Sequence, residues 1–348
     1  MQLVRQNDKS TAKPPRPSAE PDRRRHGRGP RRPAVAVLAA LLVAAVGSGC
    51  ASESGGRVPG EAGSRDRALA GNPGPQAGLN PAAGLPGVPG LRRGLARLPG
   101  ERYENARLTP AVRARIAAKW GLGRPPLIAP LPPVVKPRLT TREGFEVEGG
   151  DDALPPVFTT VPTTDRVVFL TIDDGAEKDP ELLQMMDELD IPYSAFLSDT
   201  EVKDNYGYFG EAQRLGTVLG NHTLHHPYLP GLSYDEQRRE ICGQQDAVEE
   251  WSGKRPRLFR PPYGNYDGDT LRAARSCGIK AVPLWSAEAF PDRMEWREAD
   301  RDLHPGDIIL THFRGRAAWG GSMTDLVRTV MRTVTERGYA VARLEDYV

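Results

Sequence analysis

From about residue 154 to the C-terminus, short apolar runs alternate with segments of helical periodicity, and this alternation restricts the fold more than any other feature of the chain. Val167–Ile172 is almost wholly apolar and reads as a buried strand. Pro180–Leu189 places Leu182, Leu183, Met186 and Leu189 on one helical face. "YSAFLS" is strand-like, Tyr208–Leu215 helical, and "VLGNH" a strand ending in His222. Ser233–Trp251 is a long helix opened by Ser233 and Glu236 at capping-box spacing. "RLFRPPYG" is a strand running into a turn, and Asp269–Cys277 a helix stopped by Gly278. "IKAVPLW", "DIILTHF" and "YAVARL" supply further strands, with Met323–Arg337 as the last long helix. Strand–helix alternation calls for parallel βα units. About seven strands in this length predict an α/β fold, a small distorted or incomplete (β/α) barrel of parallel strands.

The chain before it is different. Residues 1–33 carry ten Lys/Arg against three Asp/Glu, whereas the remainder is mildly acidic, so the net charge of +2 does not indicate a nucleic-acid partner. The basic tail leads into thirteen uncharged apolar residues, Ala34–Val46, short of the about 20 that a spanning helix needs. A basic region, a short apolar region and small residues read as an export signal over 1–49. Cys50, after Gly47, Ser48 and Gly49, resembles a bacterial lipoprotein cleavage site, which predicts lipidation there, membrane association and an extracytoplasmic location. Residues 51–100 hold 19 Gly or Pro, too many for a packed core. The expectation is a disordered Pro/Gly-rich linker over 50–153, broken by one short helix at 108–120 with Thr109 as its N-cap and no evident job. Cys242 and Cys277 are expected as buried free thiols on neighbouring helices, with a disulfide as the alternative in an exported chain.

Reactive groups in βα folds gather at the C-terminal ends of strands. Here those ends carry Asp173 and Asp174, then His222 with His225 and His226, then Arg260 and Tyr263, then Trp285, then His312. The chain has six histidines, and four lie at such ends, which a random scatter would rarely produce. One carboxylate and two imidazoles suit a divalent cation with positions left for water. Asp174, His222 and His226 are the candidate ligands. Asp173 cannot easily bind the same ion in the same geometry, since consecutive strand residues point opposite ways, and is free to act as a base near water on the metal. Arg260 can hold it ionised, and His312 can supply a proton to a leaving group. The bland alternative is a polar turn at Asp173-Asp174-Gly175 and a surface loop at His222–His226, and the joint constellation argues against it.

These residues resemble the polysaccharide deacetylases, carbohydrate esterase family four, over about 154–348. "TIDDG" stands where that family usually has T-F-D-D-G; "HTLHH" fits H-S/T-x-x-H, and "RPPYG" and "LTH" fit two further motifs, all in the family's order. The resemblance implies Asp173 as general base, Asp174, His222 and His226 as metal ligands, and His312 as general acid. Arg260 would orient Asp173, the backbone N–H of Tyr263 would stabilise the oxyanion, and Thr223 would brace the histidine loop. Leu310 and Trp285 would line the pocket for the acetyl methyl group, while His225 has no role. The fourth motif departs: a carboxylate that should tune His312 must come from Glu288, Asp292 or Glu295, and Glu295-Trp296 looks most like the usual D-W pair. Trp319, in the unusual segment "FRGRAAWGGS", reads equally well as a sugar-stacking ring or as a loop aromatic.

The resulting expectation is a metal-dependent hydrolase, with zinc as the expected ion, that deacetylates an extracellular or cell-wall polysaccharide through activated water. Two alternatives are a hydrolase of another amide on the same fold and a non-catalytic glycan-binding surface lipoprotein.

Overall fold

The computed structural model describes residues 108–151 and 153–348. The export signal, Cys50 and the first part of the linker lie outside the described residues. In chain order the elements are α1 (Pro110–Lys119), β1 (Val157–Phe158), β2 (Val167–Asp174), α2 (Pro180–Leu189), β3 (Ser194–Leu197), α3 (Asp199–Val202), α4 (Tyr206–Arg214) and β4 (Val218–Asn221). There follow α5 (Tyr234–Ser252), α6 (Gly268–Ser276), β5 (Val282–Pro283), β6 (Ala287–Ala289), β7 (Met294–Trp296), β8 (Ile308–His312), α7 (Arg316–Trp319), α8 (Met323–Glu336) and β9 (Ala340–Ala342).

The sheet is parallel except at one edge. β2 is its centre, pairing with β3, β8 and β9, and β3 pairs in turn with β4. Single parallel bridges carry the hydrogen bonding from Asn221 to Phe259 and from Leu258 to Ala281. The chain from Ala281 runs into β6, which pairs with β8, so the circuit closes on itself as a distorted (β/α) barrel. β7 is the exception, folding back antiparallel on β6. Every residue of β2 is buried, which explains its unbroken apolar character. Val168, Leu170 and Ile172 pack outward with α2 and α8, and Val167 and Phe169 pack with Phe196, Ile308 and Leu310. By strict alternation Thr171 and Asp173 continue the second face.

The helices start where local chemistry dictates. Asp179 caps α2 through Glu181 N, with Pro180 in the first turn, and Ser233 and Glu236 form the capping box of α5. Helix α1 is capped by Thr109, and it has a packing role that its sequence did not disclose. Ala117 and Trp120 are buried, Trp120 Nε1 donates to Glu188 on α2 (2.8 Å), and Arg328 Nε on α8 donates to the Trp120 carbonyl (2.7 Å). Within the expected linker, residues 110–120 are thus part of the packed unit.

Cys242 and Cys277 are disulfide-bonded rather than free, with Cα atoms 5.0 Å apart. Helices α5 and α6 lie side by side, which sets the two thiols opposite each other within bridging distance. The bridge closes a span of 35 residues. Replacing both cysteines with serine should lower unfolding stability by about 2–4 kcal/mol. Chemical denaturation of oxidised wild type and of the double variant checks this, and identical midpoints would count against a stabilising bridge.

Candidate metal centre and active-site cleft

The strand ends bring the expected residues together at one mouth of the barrel. Asp174 Oδ1 lies 3.5 Å from His222 Nε2 and 3.4 Å from His226 Nε2, and the three donor atoms fall within 4.8 Å of one another. Donors held tetrahedrally about 2.1 Å from one ion are separated by about 3.4 Å, so this spacing suits a single cation. Asp174 Oδ1 is buried yet makes no hydrogen bond. An orphaned buried carboxylate oxygen facing two imidazole nitrogens fits a divalent cation and is costly without one. The His222 Nδ1 lies 2.7 Å from the carbonyl of Arg260 and must donate to it, so in the neutral imidazole the lone pair sits on Nε2, toward Asp174.

Charge around the three groups is finely set. Burial pushes the Asp174 carboxyl up, but its closeness to His222, with His312 and His226 beyond, holds it well below the usual carboxylate range. Burial and the charge of His222 push His226 down to about 4, so it is a neutral donor at neutral pH. Burial also opposes a charged His222, but Asp173 and Asp174 outweigh it and raise its pKa. A proton would therefore compete with a cation held by His222, and cation affinity should fall on acidification.

It is Asp174 that departs from the alternation, while Asp173 stays on the face of β2 that Thr171 shares. The Asp173 Oδ2 is 3.8 Å from the same His222 nitrogen that Asp174 approaches. Asp174 has φ 74°, in the left-handed region, and this twist at the strand's last residue turns two consecutive carboxylates toward one imidazole. Gly175 follows with φ 103°, where a Cβ would sit 2.4 Å from Val202 Cγ1. Thr223, His226 and Tyr263 also have positive φ, so four of the six such non-glycine residues described surround this centre. Such strain costs about 1–3 kcal/mol each and persists where surrounding contacts impose it. One such contact is the His226 N–H donating to Thr223 Oγ1 at 3.0 Å.

Arg260 is the largest fully buried side chain described. Its Nη1 donates to Asp173 Oδ1 (2.8 Å) and Thr171 Oγ1 (2.9 Å), and its Nε to the Pro283 carbonyl (2.8 Å). The guanidinium lies 4.4 Å from the Phe196 ring centroid. Asp173 thus has one oxygen committed to Arg260 and the other facing the metal centre.

The centre opens into a cleft of about 760 Å³ whose lining includes Tyr263, Trp285, Leu310, His312 and Trp319. Trp319 is set edge-on to His312, with ring centroids 5.9 Å apart, so it belongs to the cleft wall. His225 is exposed and bonded to Glu240, away from the centre. Among the three candidate carboxylates it is Glu288 that approaches His312, with Oε1 3.5 Å from Nδ1. Glu295 instead pairs with Arg293. The register places Glu288 beside Leu310, two residues from His312, whereas Glu295 lies across the antiparallel turn. Burial and the charges of Glu295 and Asp173 push the Glu288 carboxyl up to about 7. Burial pushes the His312 imidazole down. Arg314 escaped the sequence reading. Its Nη2 donates to Asp174 Oδ2 at 2.6 Å, and the available signal was a cation two residues beyond the strand-end histidine.

Comparison with known proteins places this geometry in context. A family model described as polysaccharide deacetylase matches residues 160–282. An uncharacterized protein of Streptomyces coelicolor is 42% identical over 196 residues, 56% of this chain and 78% of that protein. The peptidoglycan-N-acetylmuramic acid deacetylase PdaC of Bacillus subtilis is 30% identical over 203 residues, 55% of this chain and 41% of that protein. A peptidoglycan-N-acetylglucosamine deacetylase of Bacillus cereus is 26% identical over 166 residues, 44% of this chain and 76% of that protein. The ordered motifs, the barrel that carries them and these similarities agree, and the chain belongs to the polysaccharide deacetylase family of hydrolases.

Proposed function

We propose that the protein removes acetyl groups from an extracytoplasmic polysaccharide, with Asp174, His222 and His226 holding a divalent cation, zinc by the nature of its donors. The observation that carries the proposal is the buried, unbonded Asp174 Oδ1 between two imidazoles, beside a second carboxylate whose far oxygen is tied to Arg260. A cation bound there supplies Lewis acidity and favours deprotonation of water near neutral pH. Asp173 Oδ2 accepts the proton as the water oxygen bonds to the acetyl carbon. Arg260 keeps that carboxylate ionised and aimed. The Tyr263 N–H, on its strained turn, stabilises the negative charge that develops on the carbonyl oxygen. Leu310 and Trp285 enclose the methyl group. His312 gives its proton to the departing nitrogen or oxygen as the bond to carbon breaks, with Nδ1 turned to Glu288 and Nε2 available to the substrate.

The relatives that act on peptidoglycan make it the first substrate to try. Retention at the membrane through a lipidated Cys50 fits an enzyme of the cell envelope. The purified protein, loaded with zinc, should release acetate from peptidoglycan fragments, chitooligosaccharides or acetylated xylan, and chelation should cut the rate by more than tenfold, reversibly on re-addition. Release of a different carboxylate or amine in place of acetate would move the reading to another amide. Glycan binding without any product from the loaded protein would make it a non-catalytic binder.

Glu288 gives a pH test. A carboxylate beside His312 raises the imidazole pKa once it is ionised. Glu288→Gln removes that charge, so the His312 pKa should fall and the alkaline limb of the pH–rate profile should move to lower pH. An unmoved limb would separate Glu288 from His312.

A further inference from the structure

The segment between α1 and β1 holds apolar side chains out in water. Of the seven large hydrophobic side chains left exposed among the described residues, five are Leu127, Ile128, Leu131, Val134 and Val135. Leu131 is 67% and Val135 82% exposed, and Val134 fully so. Single exposed apolar residues are ordinary on any surface, whereas so many in one short stretch form a patch. The stretch is pinned at both ends. Ala129 is buried, Leu139 packs on the same core cluster, and Lys136 Nζ donates to the carbonyl oxygens of Glu345 and Val348, both at 2.6 Å. Six of residues 125–137 are proline, which stiffens this strap and removes six backbone N–H groups. A backbone with few donors loses less on leaving water.

The charge along the strap has one sign: residues 108–142 carry seven Lys/Arg and no Asp/Glu. Arg113, Lys119, Lys136 and Arg142 are engaged with carbonyl or carboxylate oxygens. Arg124 and Arg138, exposed on either side of the apolar residues, have no side-chain hydrogen bond or ion pair among the described residues. In the turn that receives Lys136, Glu345 accepts from Ser194 Oγ (2.7 Å), which leaves Asp346 against two free guanidinium groups. The same turn fixes where the strap lies. Ser194 opens β3, and the Tyr347 hydroxyl donates to Asp165 Oδ2, two residues before β2 (3.1 Å). Asp173 and Asp174 stand at the other end of that eight-residue strand, about 25 Å away. The strap therefore crosses the mouth of the barrel opposite the cleft.

We propose that this strap docks the protein on an anionic lipid surface. Leu131, Val134 and Val135 enter the boundary between headgroups and acyl chains, and Arg124 and Arg138 meet lipid phosphates. Among the described residues no helix is long and apolar enough to cross a membrane, and the contact is interfacial. Docked in this way, the protein turns its cleft away from the bilayer.

Amide hydrogen exchange of the full chain tests this, because the readout is local to the strap whatever else holds the chain to lipid. Exchange is followed without vesicles, with phosphatidylcholine vesicles, and with vesicles that also contain about 30% phosphatidylglycerol. Amides of residues 127–136 should exchange about tenfold more slowly, or slower still, with the anionic vesicles than in the other two conditions. Amides around Tyr263, at the opposite mouth, should not change. Val134→Asp/Val135→Asp and, separately, Arg124→Glu/Arg138→Glu should each abolish the slowing. The four side chains are exposed, so both variants should keep the wild-type unfolding midpoint, which separates lost docking from lost fold. No slowing in the wild type, equal slowing with neutral vesicles, or slowing that survives in both variants would overturn the proposal. A strap already protected without lipid, and more so at higher protein concentration, would give the surface to a second copy of the chain and overturn it as well.

Discussion

Asp173→Asn should lower kcat by about 10²–10⁴ while leaving the metal content of the protein unchanged. Asparagine has nearly the same shape, and Arg260 can still donate to its side-chain oxygen. The position now occupied by Oδ2, 3.8 Å from His222 Nε2, would carry an amide that cannot accept a proton. The three candidate ligands are other residues, so elemental analysis should find as much zinc as in wild type. Loss of metal together with activity would make Asp173 a ligand. Full activity with full metal would end its assignment as the base.

The second large effect is on stability. Arg260 and Asp173 form an ion pair with both side chains almost fully buried, 0% and 2% exposed. Pairs of this kind add little relative to an apolar replacement, but removing one partner strands the other charge. Arg260→Leu should therefore destabilise the fold by about 3–5 kcal/mol, read from urea unfolding. It also removes donors from Thr171 and the Pro283 carbonyl and the cation packed against Phe196. The double variant Arg260→Leu/Asp173→Asn distinguishes the causes. If the stranded carboxylate dominates, the second substitution should recover part of the loss. No recovery would assign the cost to packing and the lost neutral hydrogen bonds.

The local elements were legible because each is set by nearby residues. Helix α2 begins and ends where Asp179, Pro180 and the apolar spacing place it, and the Ser233–Glu236 box opens α5 as its spacing predicts. The strand ends were legible because a run of apolar residues stopping at a charged group marks where the chain leaves the core. The pairing at Leu258 and Phe259, single bridges, and at Val282–Pro283 is shorter than the apolar runs predict, since apolar character does not report how many backbone pairs a curved barrel can close. Helix α1 had no legible job because its partners, Glu188 and Arg328, stand 68 and 208 residues away from Trp120.

The chemistry divides along the same line. Residue type and order alone determined the candidate ligands, the candidate base and the family resemblance, because a metal site demands specific donor atoms and the chain must supply them at strand ends. Tertiary structure alone decided that Glu288 rather than Glu295 meets His312, that Cys242 and Cys277 are joined, and that Arg314 rests on Asp174. It also decided that Asp173 and Asp174 face the same histidine, through one left-handed residue. The reason is physical: donor identity is written in each side chain, whereas direction depends on backbone torsions and strand register, which long-range packing imposes.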